Sequence, residues 1–265
     1  YVPPADAKPA SSRNMIFVGI AVAVAIFGGL YWYFMIRSSS TDQIVDSPIV
    51  TFTPRPTTIP DVLSTIFMTR GGTIVLPSAG DPATAFSNGV AAQPNITPGT
   101  FTAIDIAVGA SSSIQVLTIP GLLDRFLASY PPTLQASLGK DYKFLLYGQK
   151  EAFDGKGRLV TNVSPGPRLV MISEIASSSI DILYGWESTM SANLSGVMGI
   201  TPTKNTGPFA GASYNGASVR FKNFAYPDHS IDYVLIDHNG KTYLVIAGSR
   251  ESMFATVDAF SVPGK

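Results

Sequence analysis

The sequence predicts an α+β protein, in which a mainly antiparallel sheet with helices on one face is preceded by one N-terminal transmembrane helix. Three observations lead to this prediction. The run from Met15 to Ile36 contains neither a charge nor a proline. Asn239-Gly240, the preferred dipeptide of a tight hairpin turn, lies between two apolar segments. Residues 180–197 carry apolar side chains at every third or fourth position, as an amphipathic helix does.

The apolar run from Met15 to Ile36 is predicted to be a retained membrane anchor. As a helix, its 22 residues extend roughly 33 Å, enough for a hydrocarbon core of about 30 Å. A signal peptide would have an apolar region of about 7–15 residues that ends in small residues. Here the run ends in the aromatic residues 31–34, which favour the membrane interface. A transmembrane helix is therefore favoured over a cleaved signal or a buried core helix.

The charges that flank the span are evenly divided. Lys8 and Arg13 precede it, and Arg37 and Arg55 follow it within the distance over which such charges count. We expect a cytoplasmic N-terminus and an extracytoplasmic C-terminal domain, because the short leading segment, residues 1–14, is basic and a Ser/Thr/Pro tether suits an envelope stalk. Since the chain begins with Tyr rather than Met, we take it as a fragment or processed form.

Residues 37–60 are predicted to be a linker. At 38–60, 13 of 23 residues are Ser, Thr or Pro, a composition that cannot bury a core. Such a segment would extend about 70 Å as polyproline II, or about 26 Å as a flexible coil. The remaining domain, residues 61–265, is therefore expected to stand off the membrane surface.

The first half of this domain predicts short elements. Residues 62–67 are ambiguous between helix and strand, and residues 73–76 have the composition of a strand. Residues 77–100 are rich in Gly, Pro, Ala and Asn and are predicted to form loops. Residues 101–108 show the apolar pattern of a strand.

Two helices and three strands are predicted next. Pro120 suits the first position of a helix, and a second short helix is expected to end near Leu138, with Gly139 as its C-terminal cap. Gly- and Pro-bearing turns separate the strands. The predicted strands are 142–147, 159–163 and 169–175.

The second half of the domain carries the clearest signals. Ser178, three residues before Asp181, fits the start signal of the long helix. Residues 201–218 are rich in Gly, Ser and Asn and are predicted to form a loop. Ser249 is predicted to cap a terminal helix. The hairpin strands are predicted at 233–237 and 241–246.

Composition excludes several classes of function. Residues 37–265 contain 16 Lys plus Arg and 17 Asp plus Glu, without a basic stripe, so nucleic acid is not an expected partner. Cysteine is absent, which excludes disulfides, thiolate metal sites and cysteine nucleophiles. The sequence has no phosphate-binding glycine loop, dinucleotide fingerprint or EF-hand loop, and no cofactor is predicted.

Three fragments are similar to motifs of penicillin-binding proteins and β-lactamases. Ser137 and Lys140 fit S-x-x-K, and Ser191 and Asn193 fit S-x-N. Lys241 begins a K-T-G pattern whose third residue is Tyr instead of Gly. In those enzymes the motifs supply the nucleophile, the proton shuttle and a strand beside the oxyanion.

The context of these fragments argues against catalysis. Ser137 is expected at a helix end rather than opening a buried helix, and Ser191 is expected in mid-helix. We therefore predict no catalytic residue and no enzyme. An extracytoplasmic serine acyl enzyme with a Ser137/Lys140 dyad is the alternative.

The two histidines are the remaining candidates for metal binding. His238 is expected in the hairpin turn, and His229 in a loop. Two histidines and a carboxylate can hold a metal, and Asp228, Asp232 and Asp237 lie near them in sequence. Nothing in the spacing brings them together, so they are predicted to be solvated loop residues, and no metal site is predicted.

Several aromatic residues either line a ligand groove or belong to the core. Their helical and strand spacing favours the core for most of them. They are Tyr184, Trp186, Phe221, Phe224 and Tyr226.

The chain from Leu122 onward resembles a family of single-span membrane proteins of candidate-phylum bacteria. The resemblance is carried by FLASYPPTLQASLGKDYKFLLYGQ, DILYGWESTMSANL, FKNFAY and YVLIDHNGKTYLVIAGSRESMFATVDAF. It implies one N-terminal span and an outward domain. It implies no activity, and no catalytic residue is carried over.

These observations together predict a membrane-anchored cell-envelope protein. Its anchor would contact the lipid bilayer through residues 15–36. Its outward domain is expected to bind a protein or an envelope polymer, or to scaffold an assembly, without catalysis.

Overall fold

The computed structural model describes residues 62–94, 96–110, 113–161, 163, 165–201 and 207–261. The leading segment, the anchor from Met15 to Ile36 and the linker at 37–60 lie outside the described residues and stay predictions. Among the described residues, no helix has the length and apolar character needed to cross a membrane.

The described chain forms an α+β domain. Its α-helices are α1 (Val62–Ile66), α2 (Pro82–Ala91), α3 (Ile119–Arg125), α4 (Pro132–Ser137), α5 (Ile180–Ser195) and α6 (Arg250–Ser261). Its strands are β1 (Arg70–Leu76), β2 (Phe101–Ala110), β3 (Ser113–Val116), β4 (Leu138–Tyr147), β5 (Arg168–Ile175), β6 (Ala210–Tyr214), β7 (Ala217–Phe224), β8 (Tyr226–His238) and β9 (Lys241–Ala247).

These strands form one open sheet in the order β1-β2-β4-β5-β9-β8-β7-β6, with β3 paired to β2. The β1–β2 pair is parallel and the other pairs are antiparallel. The prediction of an α+β fold with a mainly antiparallel sheet is confirmed for the described residues.

The helices cover both faces of this sheet, so the prediction that they lie on one face is wrong. On β5, Leu169 and Met171 belong to one core cluster, whereas Val170 and Ile172 belong to the other. The first face packs against α2, α3, α4 and α5, and the second against α1 and α6. Successive strand residues point to opposite faces, so a continuous apolar run on a central strand requires cover on both sides.

The loop predicted at 77–100 contains α2, so that prediction is wrong over Pro82–Ala91. Asp81 caps this helix, because its carboxylate accepts hydrogen bonds from Ala83 N at 3.0 Å and Thr84 N at 3.1 Å. The helix also buries Phe86 against the first face. Its cap and its packing outweigh the poor helix propensity of Asn88 and Gly89.

Three smaller predictions are also wrong. The second short helix ends at Ser137, as expected, but Gly139 lies in β4 and does not cap it. Residues 159–163 form no strand where they are described, but only an isolated bridge from Leu159 to Phe153. Ser178 lies in a short 3₁₀ turn, and Ser179 precedes α5 without a side-chain capping bond.

The segment 201–218, predicted as a loop, contains β6 and the start of β7. The two strands are joined by Asn215 and Gly216, both with positive φ (46° and 82°), as a tight hairpin turn requires. This is the same dipeptide as Asn239-Gly240, which joins β8 to β9 as predicted. The terminal helix is confirmed as α6. Its predicted cap is confirmed as well, because Ser252 N donates to Ser249 Oγ at 3.1 Å.

Candidate functional site

A groove of about 480 Å³ runs beside α6 on the second face of the sheet. We call it the α6 groove. It combines aromatic rings from β2, β4, β6 and α6 with charged groups of both signs, a composition suited to recognition rather than to a closed apolar pocket. Its principal lining residues are Phe101, Tyr147, Lys150, Glu151, Tyr214, Arg250, Glu251, Phe254 and Asp258.

Glu251, in the first turn of α6, ties this helix to the end of β4. Its carboxylate accepts hydrogen bonds from Tyr147 Oη at 2.9 Å, Lys150 N at 2.9 Å and Glu151 N at 2.8 Å. An acidic group here also interacts favourably with the positive end of the helix dipole. Burial, and then the bond to Glu251, raises the pKa of Tyr147, so this hydroxyl stays protonated as a donor.

The opposite end of the groove is fixed by stacking between β6 and α6. The rings of Tyr214 and Phe254 are parallel within 2°, with centroids 3.8 Å apart. Asp258 accepts hydrogen bonds from Tyr214 Oη at 2.9 Å and from Asn215 Nδ2 at 2.7 Å. Both donors are neutral, and among the described residues Asp258 has no cationic partner within ion-pair distance. Its negative charge therefore remains available at an exposed position.

A buried polar cluster lies where α6 meets β8. Ser230 and Asp232 share the α6 side of β8, because the alternating residues Ile231 and Tyr233 belong to the first-face core. Ser249, Ser252 and Thr256 line the first turns of α6. The five polar members of this cluster are at most 1% exposed.

Asp232 is the most perturbed carboxyl group of this cluster. Burial raises its pKa to about 7, and the nearby Ser230 hydroxyl and the charge of Arg250 oppose that rise. Asp232 Oδ1 and Ser230 Oγ have no hydrogen-bond partner of good geometry among the described residues. A buried carboxylate without such partners is costly, so protonation relieves the charge.

The residues of the predicted acyl-enzyme motifs have other partners. Ser137 Oγ donates to Thr133 O at 2.7 Å, and Asn193 Oδ1 accepts from Trp186 Nε1 at 3.0 Å. Lys140 is exposed on β4, and Ser191 lies on α5. No hydrogen bond in the described part of the chain joins any two of these four motif residues.

The third motif has a structural role in the sheet. Lys241 Nζ lies 2.8 Å from Glu174 Oε2 and 3.8 Å from Asp141 Oδ2. Thr242 Oγ1 donates to Asp237 Oδ1 at 2.6 Å across the β8–β9 pair. Both side chains thus support the pairing of β9 with its neighbours.

His229 lies within β8 rather than in a loop, so that part of the prediction is wrong, whereas His238 is the last residue of β8 and flanks the predicted turn. His229 Nε2 accepts from Arg168 Nη2 at 3.0 Å, and its Nδ1 lies 3.4 Å from Asp228 Oδ2. Burial, and then the charge of Arg168, lowers the pKa of His229 and favours the neutral ring that these contacts need. His238 packs edge-on against Phe260 at 5.5 Å.

The metal candidates do not converge in the described residues, where no group of three His, Cys, Asp or Glu residues is placed to hold a metal ion. The predicted aromatic residues lie outside the α6 groove. Trp186 and Phe224 are core residues, Tyr226 stacks on Phe153, and Tyr184 is 48% exposed beside Arg220.

Sequence reasoning missed the residues that line the groove. Tyr147, Tyr214 and Phe254 come from three distant segments, and the fold alone brings their rings together. The sequence contained one local signal for the groove. The dipeptide Asn215-Gly216 is typical of a tight hairpin turn, and this turn places Tyr214 at the end of an edge strand.

Fold and groove together define an open-sheet α+β domain with a polar and aromatic groove along its C-terminal helix. In comparisons with known proteins, no family model, no curated protein and no solved structure matches the chain. The resemblance to single-span membrane proteins of candidate-phylum bacteria therefore stays a prediction.

Proposed function

We propose that this chain is a membrane-anchored cell-envelope protein whose outward domain binds a partner through the α6 groove. The uncharged run from Met15 to Ile36 supports the anchor. The Ser/Thr/Pro-rich segment at 37–60 supports a tether that places the domain away from the membrane. The partner is a protein or an envelope polymer, and the domain acts without catalysis, as a binding module or scaffold.

The main support for this proposal is that the side chains of the groove are already held in place before a partner binds. Glu251 fastens one end through three hydrogen bonds, and the Tyr214–Phe254 stack fastens the other. Side chains that are already held lose little conformational entropy when a partner binds, which favours affinity. Aromatic rings supply contact area, and the charges set the orientation of the partner.

The charged groups of the groove also suit recognition. Arg250 Nη2 lies 2.7 Å from Glu151 Oε2, and both side chains are partly exposed. Such a surface pair adds less than about 1 kcal/mol to stability. It instead presents fixed charges of both signs along the groove, which select among partners more than they stabilise the fold.

Photo-crosslinking tests this proposal. Ala255, which lines the groove, is replaced by p-benzoylphenylalanine in the full chain, which is then mixed with its native envelope fraction and irradiated. We expect a discrete adduct of higher mass, and mass spectrometry distinguishes protein from polymer. The same probe at Leu159, which is 57% exposed and outside the groove, is the control. No adduct at Ala255, or equal adducts at both positions, contradicts the proposal.

A further inference from the structure

Strand β6 is an edge of the sheet. Within the described chain it pairs with β7 on one side, and no described strand lies beyond it. Its first four residues are exposed. An edge strand carries a row of backbone donors and acceptors that can pair with another chain.

The tight turn determines which backbone groups of β6 point outward. In a two-residue hairpin, the residues flanking the turn, here Tyr214 and Ala217, exchange both backbone hydrogen bonds. The alternation of antiparallel pairing then directs the N–H and C=O of Ala212 toward β7. It directs those of Gly211 and Ser213 away from β7. The edge therefore offers two donors and two acceptors to an added strand.

Strand β6 lacks the usual features that prevent edge pairing. Its sequence, AGASY, contains no proline, lysine or other charged residue. Its pairing with β7 is regular from Ala210 to Tyr214, without a bulge. Small side chains along the strand let another backbone approach closely. These properties suit a strand that accepts a partner.

The β6–β7 hairpin is held from both faces of the sheet. On the first face, Arg220 of β7 forms a two-pronged ion pair with Glu187 of α5, with both N–O distances 2.7 Å. On the second face, Tyr214 and Asn215 donate to Asp258 of α6. An edge that is rigid before binding lowers the entropic cost of adding a strand.

The charge beside this edge favours a basic partner. Ala212 and Tyr214 share the α6 side of β6, because Val219, which pairs with Ala212, belongs to the second-face core. Side chains of an added strand on that side would lie next to Tyr214 and Asp258. The charge of Asp258 has no cationic partner in the described residues, so Lys or Arg in the added strand is complementary to it.

We propose that β6 receives an extended segment of a partner polypeptide as an additional β-strand, with a Lys or Arg side chain beside Asp258. This inference rests on the proposed binding function and names the class of its partner. Backbone hydrogen bonds would supply much of the affinity, and the α6 groove and Asp258 would supply the selectivity.

A displayed library of random linear peptides, selected on the full chain in detergent, tests this inference. We expect binders enriched in Lys or Arg and in alternating patterns. Ser213→Pro removes one outward donor at an edge position where proline is tolerated, and should weaken binding by roughly tenfold. Ser213→Ala keeps the backbone donor and should stay within about twofold. Equal binding by both variants, or no linear binder at all, overturns the inference.

Hydrogen exchange of the unmodified protein gives a test that does not depend on the folding of the proline variant. A selected peptide should slow exchange of the Gly211 and Ser213 amides, and protection confined to other segments overturns the inference. A binding experiment with purified envelope polymer distinguishes failure of strand addition from failure of the proposed function. If the polymer binds at the groove and no peptide does, the proposed function stands while strand addition fails.

Discussion

The buried carboxyl group of Asp232 links one residue to the pH dependence of the whole domain. Its ordinary pKa of 3.8 rises to about 7 in the folded protein because the group is buried. Between these two values the folded state holds a proton that the unfolded state releases. Asp232 therefore costs the folded state no stability below about pH 4. The free energy of unfolding falls as the pH rises from there to about 7.

We predict that Asp232→Asn removes this pH dependence. The amide has nearly the shape of the protonated carboxyl group and does not ionise. The wild-type protein should lose up to about 4 kcal/mol of unfolding free energy relative to the variant between pH 4 and pH 8. Denaturant unfolding of both full chains across this range measures the difference. Parallel stability curves for the two proteins would show that Asp232 does not carry the effect.

At the scale of residues, spacing in the sequence identified candidate residues but did not show which of them come together in the fold. Ser137, Lys140, Ser191 and Asn193 were selected because their spacing resembles catalytic motifs. Spacing within a motif does not determine which strand or helix carries each residue. In the described part of the chain, no hydrogen bond joins two of these four residues. The residues of the α6 groove, in contrast, form no motif in the sequence, and only tertiary packing brings them together.

At the scale of elements, two glycines in helices have opposite surroundings. A Cβ atom on Gly89 of α2 would lie 2.5 Å from Ile74 Cγ2, so this glycine allows α2 to approach β1 closely. Gly185 in the middle of α5 is exposed and has no atom within 4 Å of an added Cβ. The two positions form a matched pair of substitutions to alanine.

We predict opposite changes in stability for this pair. Gly185→Ala should stabilise the domain by about 0.5–1 kcal/mol, because alanine has the higher helix propensity. Gly89→Ala should destabilise it by about 1–3 kcal/mol, because overlap with Ile74 exceeds the propensity gain. Thermal unfolding of the full chain, followed by circular dichroism, measures both. A stabilising Gly89→Ala would contradict the close packing of α2 on β1.

Strong local signals predicted the elements that the structure confirms. The Asn239-Gly240 turn, the Ser249 cap and the helical spacing from Ile180 each depend on neighbours in sequence. Helix α2 was missed because its composition resembles a loop and its packing on β1 outweighs that composition. Strand β6 and the start of β7 were predicted as a loop because the small residues of β6 lack the apolar alternation of a half-buried strand.

At the scale of the whole molecule, the sheet is a central layer between two sets of helices. The near-continuous burial of β5 and β9 follows from this arrangement, since a strand with one wet face alternates instead. Periodicity alone did not distinguish the two cases. The second face is the one that α6 covers, and the proposed binding groove lies along this helix.

We propose that this domain is displayed outside the cytoplasm on a membrane anchor. The chain contains no cysteine, so one introduced thiol gives an unambiguous signal. Met68 is 79% exposed at the start of the domain, and Lys8 precedes the predicted span. In intact cells, a membrane-impermeant maleimide should label Met68→Cys at once and Lys8→Cys only after permeabilisation. Labelling of Lys8→Cys alone, or of neither variant before permeabilisation, would contradict an extracytoplasmic position of the domain.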